Sequence, residues 1–178
     1  MRAVKERGAA AVEMAAVTMI ILLIAVGAAE MGFAFQNYMG VAAASREAAR
    51  VGASAGSKDD ADCRILEAAA SALFSTSGAE VVRIEVAHRN EVTETDGLPN
   101  SFRPFDPDTD EPDSLVCGAW YQLQNNWPVA SRDDEGAERD WLSVNVVYRH
   151  TWKTGFLMFD GSVEWENSTA MRLEPETF

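Results

Sequence analysis

Basic side chains are scarce in this sequence: 15 Lys and Arg stand against 28 Asp and Glu, a formal net charge of −13. So acidic a chain is repelled by nucleic acid and by an anionic membrane face, which excludes both as charge-driven partners. Histidine is limited to His88 and His150, and cysteine to Cys63 and Cys117. Their spacings fit no compact zinc pattern. No phosphate-binding loop is present. No proline and no turn cluster interrupts the chain between Ala9 and Gly56, so nothing local stops a helix there. Charge is almost missing from residues 9 to 29, where Glu13 stands alone.

The 178 residues are one domain's worth plus an anchor. Residues 58 to 178 hold most of the charge and all five tryptophans. The apolar run from 9 to 29 makes roughly 31 Å of helix, close to the ~30 Å hydrocarbon core of a bilayer. Arg2, Lys5 and Arg7 precede it, and the next basic residue is Arg46. This asymmetry places the N-terminus in the cytoplasm and the remainder outside.

A secretory signal is the rival reading, because Gly27 and Ala29 are small at the spacing signal peptidase uses before Glu30. Two features oppose it. An acidic side chain at mid-membrane costs on the order of 3 kcal/mol, which suits a signal core badly. Helix-compatible sequence also continues to about Gly56, roughly 70 Å in all. Along that continuation Gly40, Ala44, Ala48, Gly52 and Gly56 recur every fourth residue. Small residues at this spacing form a smooth strip on which another helix backbone can lie close. The plainer reading is an alanine-rich helix, although glycine costs about 1 kcal/mol against alanine there.

Gly8-Ala9-Ala10-Ala11-Val12-Glu13-Met14 resembles the cleavage site of type IV pilin-like precursors, with glycine followed by an apolar run and glutamate fifth. The stretch from Arg7 through Glu30-Met31-Gly32, then Ala44-Ser45-Arg46-Glu47-Ala48-Ala49-Arg50-Val51-Gly52-Ala53, is similar to TadE-like pseudopilins of the tight-adherence pilus system. The similarity covers about the first 56 residues and returns at Met171-Arg172-Leu173-Glu174. Thr18 departs from the family, many members of which carry proline nearby. The resemblance implies a prepilin peptidase cut between Gly8 and Ala9, with Glu13 as mature position five. It also implies other pilins and pilus assembly proteins as partners, and a role in bacterial surface attachment.

Glu13 also has a physical logic of its own. A carboxylate in an apolar helix bundle needs a partner or a proton. Removing the leader creates an ammonium on Ala9, at the same depth on a neighbouring subunit. At 4 Å such a pair attracts by roughly 4 kcal/mol at an effective dielectric near 20, comparable with the insertion cost. The alternative is a shallow Glu13 that snorkels among head groups.

Beyond the polar break Ser57-Lys58-Asp59-Asp60, residues Ala61 to Ser75 read as a second helix with Ile65, Leu66, Ala69 and Leu73 on one side. Three strands alternate with period two. Val82, Ile84, Val86 and His88 share a face of the first. Leu142, Val144, Val146, Tyr148, His150 and Trp152 share a face of the second, and Val163, Trp165, Met171 and Leu173 of the third. A shorter strand is expected around Val116 to Leu123, and Glu91 to Ser114 reads as an exposed loop. The fold class is therefore α+β and pilin-like: a long N-terminal transmembrane helix, a second helix and an antiparallel sheet of three to four strands. The expected divisions are a leader at 1–8, a span at 9–29, a helical continuation at 30–57 and an exported domain at 58–178.

In an oxidising compartment Cys63 and Cys117 are expected to form a disulfide; a zinc site with His88 and His150, or two buried thiols, are the other options. Carboxylates at alternate positions in Asp106-Pro107-Asp108-Thr109-Asp110-Glu111-Pro112-Asp113 suggest calcium, but the glycine and terminal glutamate of an EF-hand loop are missing, so a solvated loop is expected. Phe156-Leu157-Met158-Phe159 either tucks into the core or contacts another subunit. Gly52-Ala53-Ser54-Ala55-Gly56 spells a nucleophile elbow, yet that chemistry needs a strand before the serine and a helix after it. His88 and His150 read as structural, neighbouring each other only if the strand register allows. Asn167-Ser168-Thr169 is a glycosylation sequon with little meaning in the bacterial setting the resemblance implies. No enzyme, metal or cofactor is expected.

Overall fold

The computed structural model describes residues 2–73, 79–91, 93–94, 96–155 and 160–175, with helix side chains from Gly8 onward. The apolar group Phe156 to Phe159 lies outside the described residues. Two compact units are present: Met1–Phe35 with Trp152–Gly161, and Gln36–Thr151 with Ser162–Phe178.

Helix α1 runs Arg2–Ala55 and helix α2 Ala61–Leu73. The stop signal of α1 is Gly56, whose φ of +58° is the left-handed conformation that glycine adopts freely. Its N–H donates to the Gly52 carbonyl at 3.1 Å. The next N–H, on Ser57, donates to the buried Asp134 carboxylate at 2.8 Å. A Cβ on Gly56 would overlap that carboxylate, so two constraints select glycine here. Helix α2 carries Asp62 in its first turn, where the helix dipole favours an acid. Its buried residues are Ala61, Ile65, Leu66, Ala69 and Leu73, which include the face read from the sequence.

The sheet belongs to the second unit and is antiparallel throughout. Its strands are β1 (Ala79–Arg89), β2 (Asn100–Pro104), β3 (Leu115–Val116), β4 (Trp120–Gln124), β5 (Trp141–Thr151) and β6 (Ser162–Arg172), in the spatial order β3-β4-β2-β1-β5-β6. Six strands exceed the three to four expected. The expected short strand around Val116 to Leu123 is two strands, β3 and β4. Strand β2 lies inside the segment read as an exposed loop.

One face of the sheet carries the core. Ile84, Val86, Leu142, Val144, Val146 and Tyr148 are fully buried there, packed with Val41, Ala44 and Ala48 of α1 and with Ile65 and Leu66 of α2. A bulge between Val81 and Arg83 shifts the β1 register. Val81, not the expected Val82, consequently packs against the core below it. The opposite face is laced by charges: Arg149 donates to Glu164 at 2.7 Å, and Asn145 donates to Glu85 at 2.9 Å.

Candidate functional site: the anchor helix and what its residues meet

The described part of α1 from Gly8 contains a window long and apolar enough to cross a membrane, with a mean hydropathy of 2.5 and none of it buried. Val12, Met14, Met19, Ile20, Leu22 and Ile24 are all exposed large apolar side chains. Left in water this surface would be strongly unfavourable; in lipid it is matched. Gly8, Ala9 and Glu13 are exposed on the same helix. Thr18 donates its hydroxyl to the Met14 carbonyl at 2.8 Å, so a polar group in the apolar stretch is satisfied locally.

In the sequence Glu30 follows a rival cleavage site and belongs to the run Glu30-Met31-Gly32 that carries the resemblance, with no contact assigned to its carboxylate. In the structure its carboxylate is fully buried and accepts the backbone N–H of Lys153 at 3.2 Å and that of Thr154. This holds the turn after β5 against the helix within the first unit. The sequence did contain a signal: Glu30 is the sole charge between Met14 and Ser45.

The strip of small residues divides by position. Gly40 is half-buried, whereas Ala44, Ala48 and Gly52 are buried in the second unit. At Gly52 an added Cβ would overlap Leu142 Cδ2 of β5 and approach Ile65 Cδ1 of α2 to 2.8 Å. Described contacts at Gly52 are therefore with this chain's own second helix and sheet. Ser45, between these positions, bonds Asn167 Oδ1 at 2.8 Å and the Thr169 hydroxyl at 2.9 Å. The sequon residues thus serve as polar pins between helix and edge strand. Asn37 bonds the buried His150 Nδ1 at 2.8 Å, and the His150 ring stacks on Trp165 with centroids 5.6 Å apart.

His88 lies at the other end of the β1–β5 pair. Its partner across the ladder is Leu142, while His150 faces Ala79, so the two histidines are not neighbours. His88 sits 3.3 Å from the Asp140 carboxylate and edge-on to Trp127. Ser54 of the elbow string is in the last turn of α1 and donates to the Val51 carbonyl at 2.9 Å; no strand precedes it.

Cys63 of α2 and Cys117, in the turn between β3 and β4, are joined by a disulfide. Near it lies a knot that sequence reasoning missed. Asn100 of β2 donates to Asp62 at 3.0 Å and to the Trp127 carbonyl at 2.8 Å, and accepts from Trp127 N–H at 2.7 Å. Buried Arg132 pairs with Asp62 and lies 4.5 Å over the Trp127 ring. In the acidic loop, Asp110 pairs with Arg103, and Asp106 accepts from Asp108 N–H at 3.0 Å and the Thr109 hydroxyl at 2.9 Å.

These features define a class: a helix-anchored α+β protein whose long first helix is exposed and apolar at one end and packed on a sheet at the other. Residues 8–50 match the family described as TadE-like protein. No curated protein and no solved structure matches the chain.

Proposed function

We propose that this protein is a minor pilin or pseudopilin that takes part in assembly of a tight-adherence pilus. The observation that carries the reading is the overlap of the family match, residues 8–50, with an unburied apolar stretch of α1 long enough to cross a membrane. In this reading residues 9–29 span the bacterial inner membrane as a single pass. The N-terminus is cytoplasmic and the disulfide-bearing domain is periplasmic, or extracellular once in a filament. A prepilin peptidase cuts between Gly8 and Ala9. The cut removes the basic residues that hold the chain at the cytoplasmic face and gives Ala9 an ammonium group. Glu13, exposed and without an ion pair among the described residues, then meets the amine of a neighbouring subunit. Transfer from bilayer to filament base is driven by this match and by helix packing, with other pilins and assembly proteins as partners. The role is structural; no cofactor, metal or catalysis enters it.

Mass spectrometry of the membrane-extracted protein tests this. A mature chain starting at Ala9 supports the proposal. An intact start at Met1 favours a permanently anchored accessory protein of pilus assembly or secretion, and a start at Glu30 favours a secreted soluble protein. In the variant Glu13→Ala, insertion survives while the amount of subunit in sheared pili falls at least several-fold. Undiminished assembly of that variant would remove the pairing from the mechanism.

A further inference from the structure

We propose that the first unit just beyond the span is an interfacial collar, in which Met31, Phe33 and Phe35 of α1 and the turn at Trp152 and Lys153 sit in the headgroup layer of the outer leaflet. The inference rests on residues 9–29 being a membrane anchor and adds where the bilayer contact ends.

Residues 30–35 extend the helix by roughly 9 Å past the hydrocarbon core, about the depth of one headgroup layer. Over that length Met31, Phe33 and Phe35 are 56%, 48% and 65% exposed. Three large apolar side chains are exposed within five residues, beyond an uncharged stretch of small or half-buried residues, Ala25 to Ala29, that joins them to the exposed apolar surface ending at Ile24. The one charge that would break the patch, Glu30, is turned away from it. Its carboxylate is buried against the backbone N–H groups of Lys153 and Thr154.

The arrangement satisfies both sides. An acid near lipid needs donors, and an irregular turn brought to the membrane surface needs acceptors for its N–H groups. The clamp also fixes the height of the turn at helix residue 30, which is the outer boundary of the span. There the turn presents the half-buried indole of Trp152 and the exposed ammonium of Lys153. An amphipathic ring and a cation are the residue types that headgroup layers favour. Continuity with the span selects lipid as the occupant over a protein partner.

The full chain, reconstituted in phosphatidylethanolamine–phosphatidylglycerol vesicles, tests this with a photo-crosslinking amino acid placed in turn at Ile20, Phe33, Lys153 and Glu164. Lipid adducts at 20, 33 and 153, with none at the sheet position 164, are expected. In a Glu30→Ala background the adduct at 153 falls at least three-fold while that at 33 persists. Adducts at 20 but not at 33 or 153 overturn the collar and leave the anchor standing. No adduct at 20 overturns the anchor and the collar together. An adduct at 153 that is indifferent to Glu30→Ala overturns the clamp.

Discussion

The two ends of α1 are both apolar, yet they use different residues. From Val12 to Ile24 most side chains are bulky and exposed; from Ala44 to Gly52 the buried ones are small. Lipid is a solvent that accommodates any shape, so large side chains there maximise favourable transfer and demand no fit. A folded sheet is not a solvent. Its side chains occupy fixed positions, and a helix approaches closely only where its own residues are short. Residue size therefore distinguishes the lipid-facing part from the protein-facing part of one helix, where hydrophobicity alone does not.

Removing the disulfide breaks this contrast most severely. The paired change Cys63→Ser and Cys117→Ser opens a loop with a sequence separation of 54. It lowers the stability of the second unit by about 4 kcal/mol. Denaturant unfolding of the full chain, followed by tryptophan fluorescence, measures the loss, because four of the five tryptophans lie in that unit. Membrane retention through the exposed apolar part of α1 is expected to be unaffected. A loss below ~1 kcal/mol would show that the packed helices and sheet hold without the link.

Glycine offers a sharper test, because one substitution is expected to change sign between the two ends. Gly52→Ala forces a methyl against Leu142 and Ile65, a strain that outweighs its gain in helix propensity and costs about 1–2 kcal/mol net. Gly32→Ala meets nothing within 4 Å and gains up to about 1 kcal/mol of helix propensity. Equal effects at both sites, with Gly52 read from the same denaturation curves and Gly32 from helix loss by circular dichroism, would refute the distinction between the two surfaces.

The same contrast explains what was legible from sequence. Long apolar runs and period-two alternation are local patterns, and they located α1, α2, β1, β5 and β6. Small residues at four-residue spacing marked a close approach, but not that α2 and β5 supply the surface met at Gly52. That identity depends on tertiary contacts. Strand β2 escaped notice because Asn100-Ser101-Phe102-Arg103-Pro104 has one large apolar residue, and Asn100 is buried through bonds to Asp62 and Trp127 far along the chain. The bulge beside Val82 leaves no mark in an unbroken valine-rich strand. Glu30 looked like an interruption of an apolar run, and the backbone donors that satisfy it lie more than a hundred residues away.

A smaller effect is expected at Tyr148, the largest fully buried side chain of the core. Its hydroxyl has no hydrogen-bond partner among the described residues. Tyr148→Phe removes a desolvated polar group and leaves the ring contact with Trp165, so it stabilises the second unit by up to about 1 kcal/mol. Burial, helped by the nearby Tyr38, pushes the Tyr148 phenol up from 10.0 to about 12. A raised acid keeps its contribution below the unfolded value, so stability is lost as the pH climbs from about 10 to about 12. That loss is diminished in Tyr148→Phe. A destabilised variant would mean that the hydroxyl does find a partner in solution.

The smallest effect belongs to the acidic loop, which tests whether charge as well as size separates parts of this molecule. Arg103 donates to Asp110 at 2.7 Å through one guanidinium nitrogen and engages the other carboxylate oxygen as well, while its plane lies 4.5 Å over Tyr121. This side-chain bond, more than the Asp106 N–H that also reaches Asp110, holds the Asp110 carboxyl below its ordinary value of 3.8. A depressed carboxylate contributes above its unfolded pKa and loses that contribution as the pH falls through the lower folded value. The loop should therefore keep its form at neutral pH and loosen only below about pH 3.8. In Arg103→Gln the Asp110 midpoint, followed by carboxyl carbon NMR, returns upward toward 3.8, and global stability is little changed because the pair orders only its own loop. A midpoint that does not move would assign the ordering of this loop to its Asp106 turn bonds instead of to the ion pair.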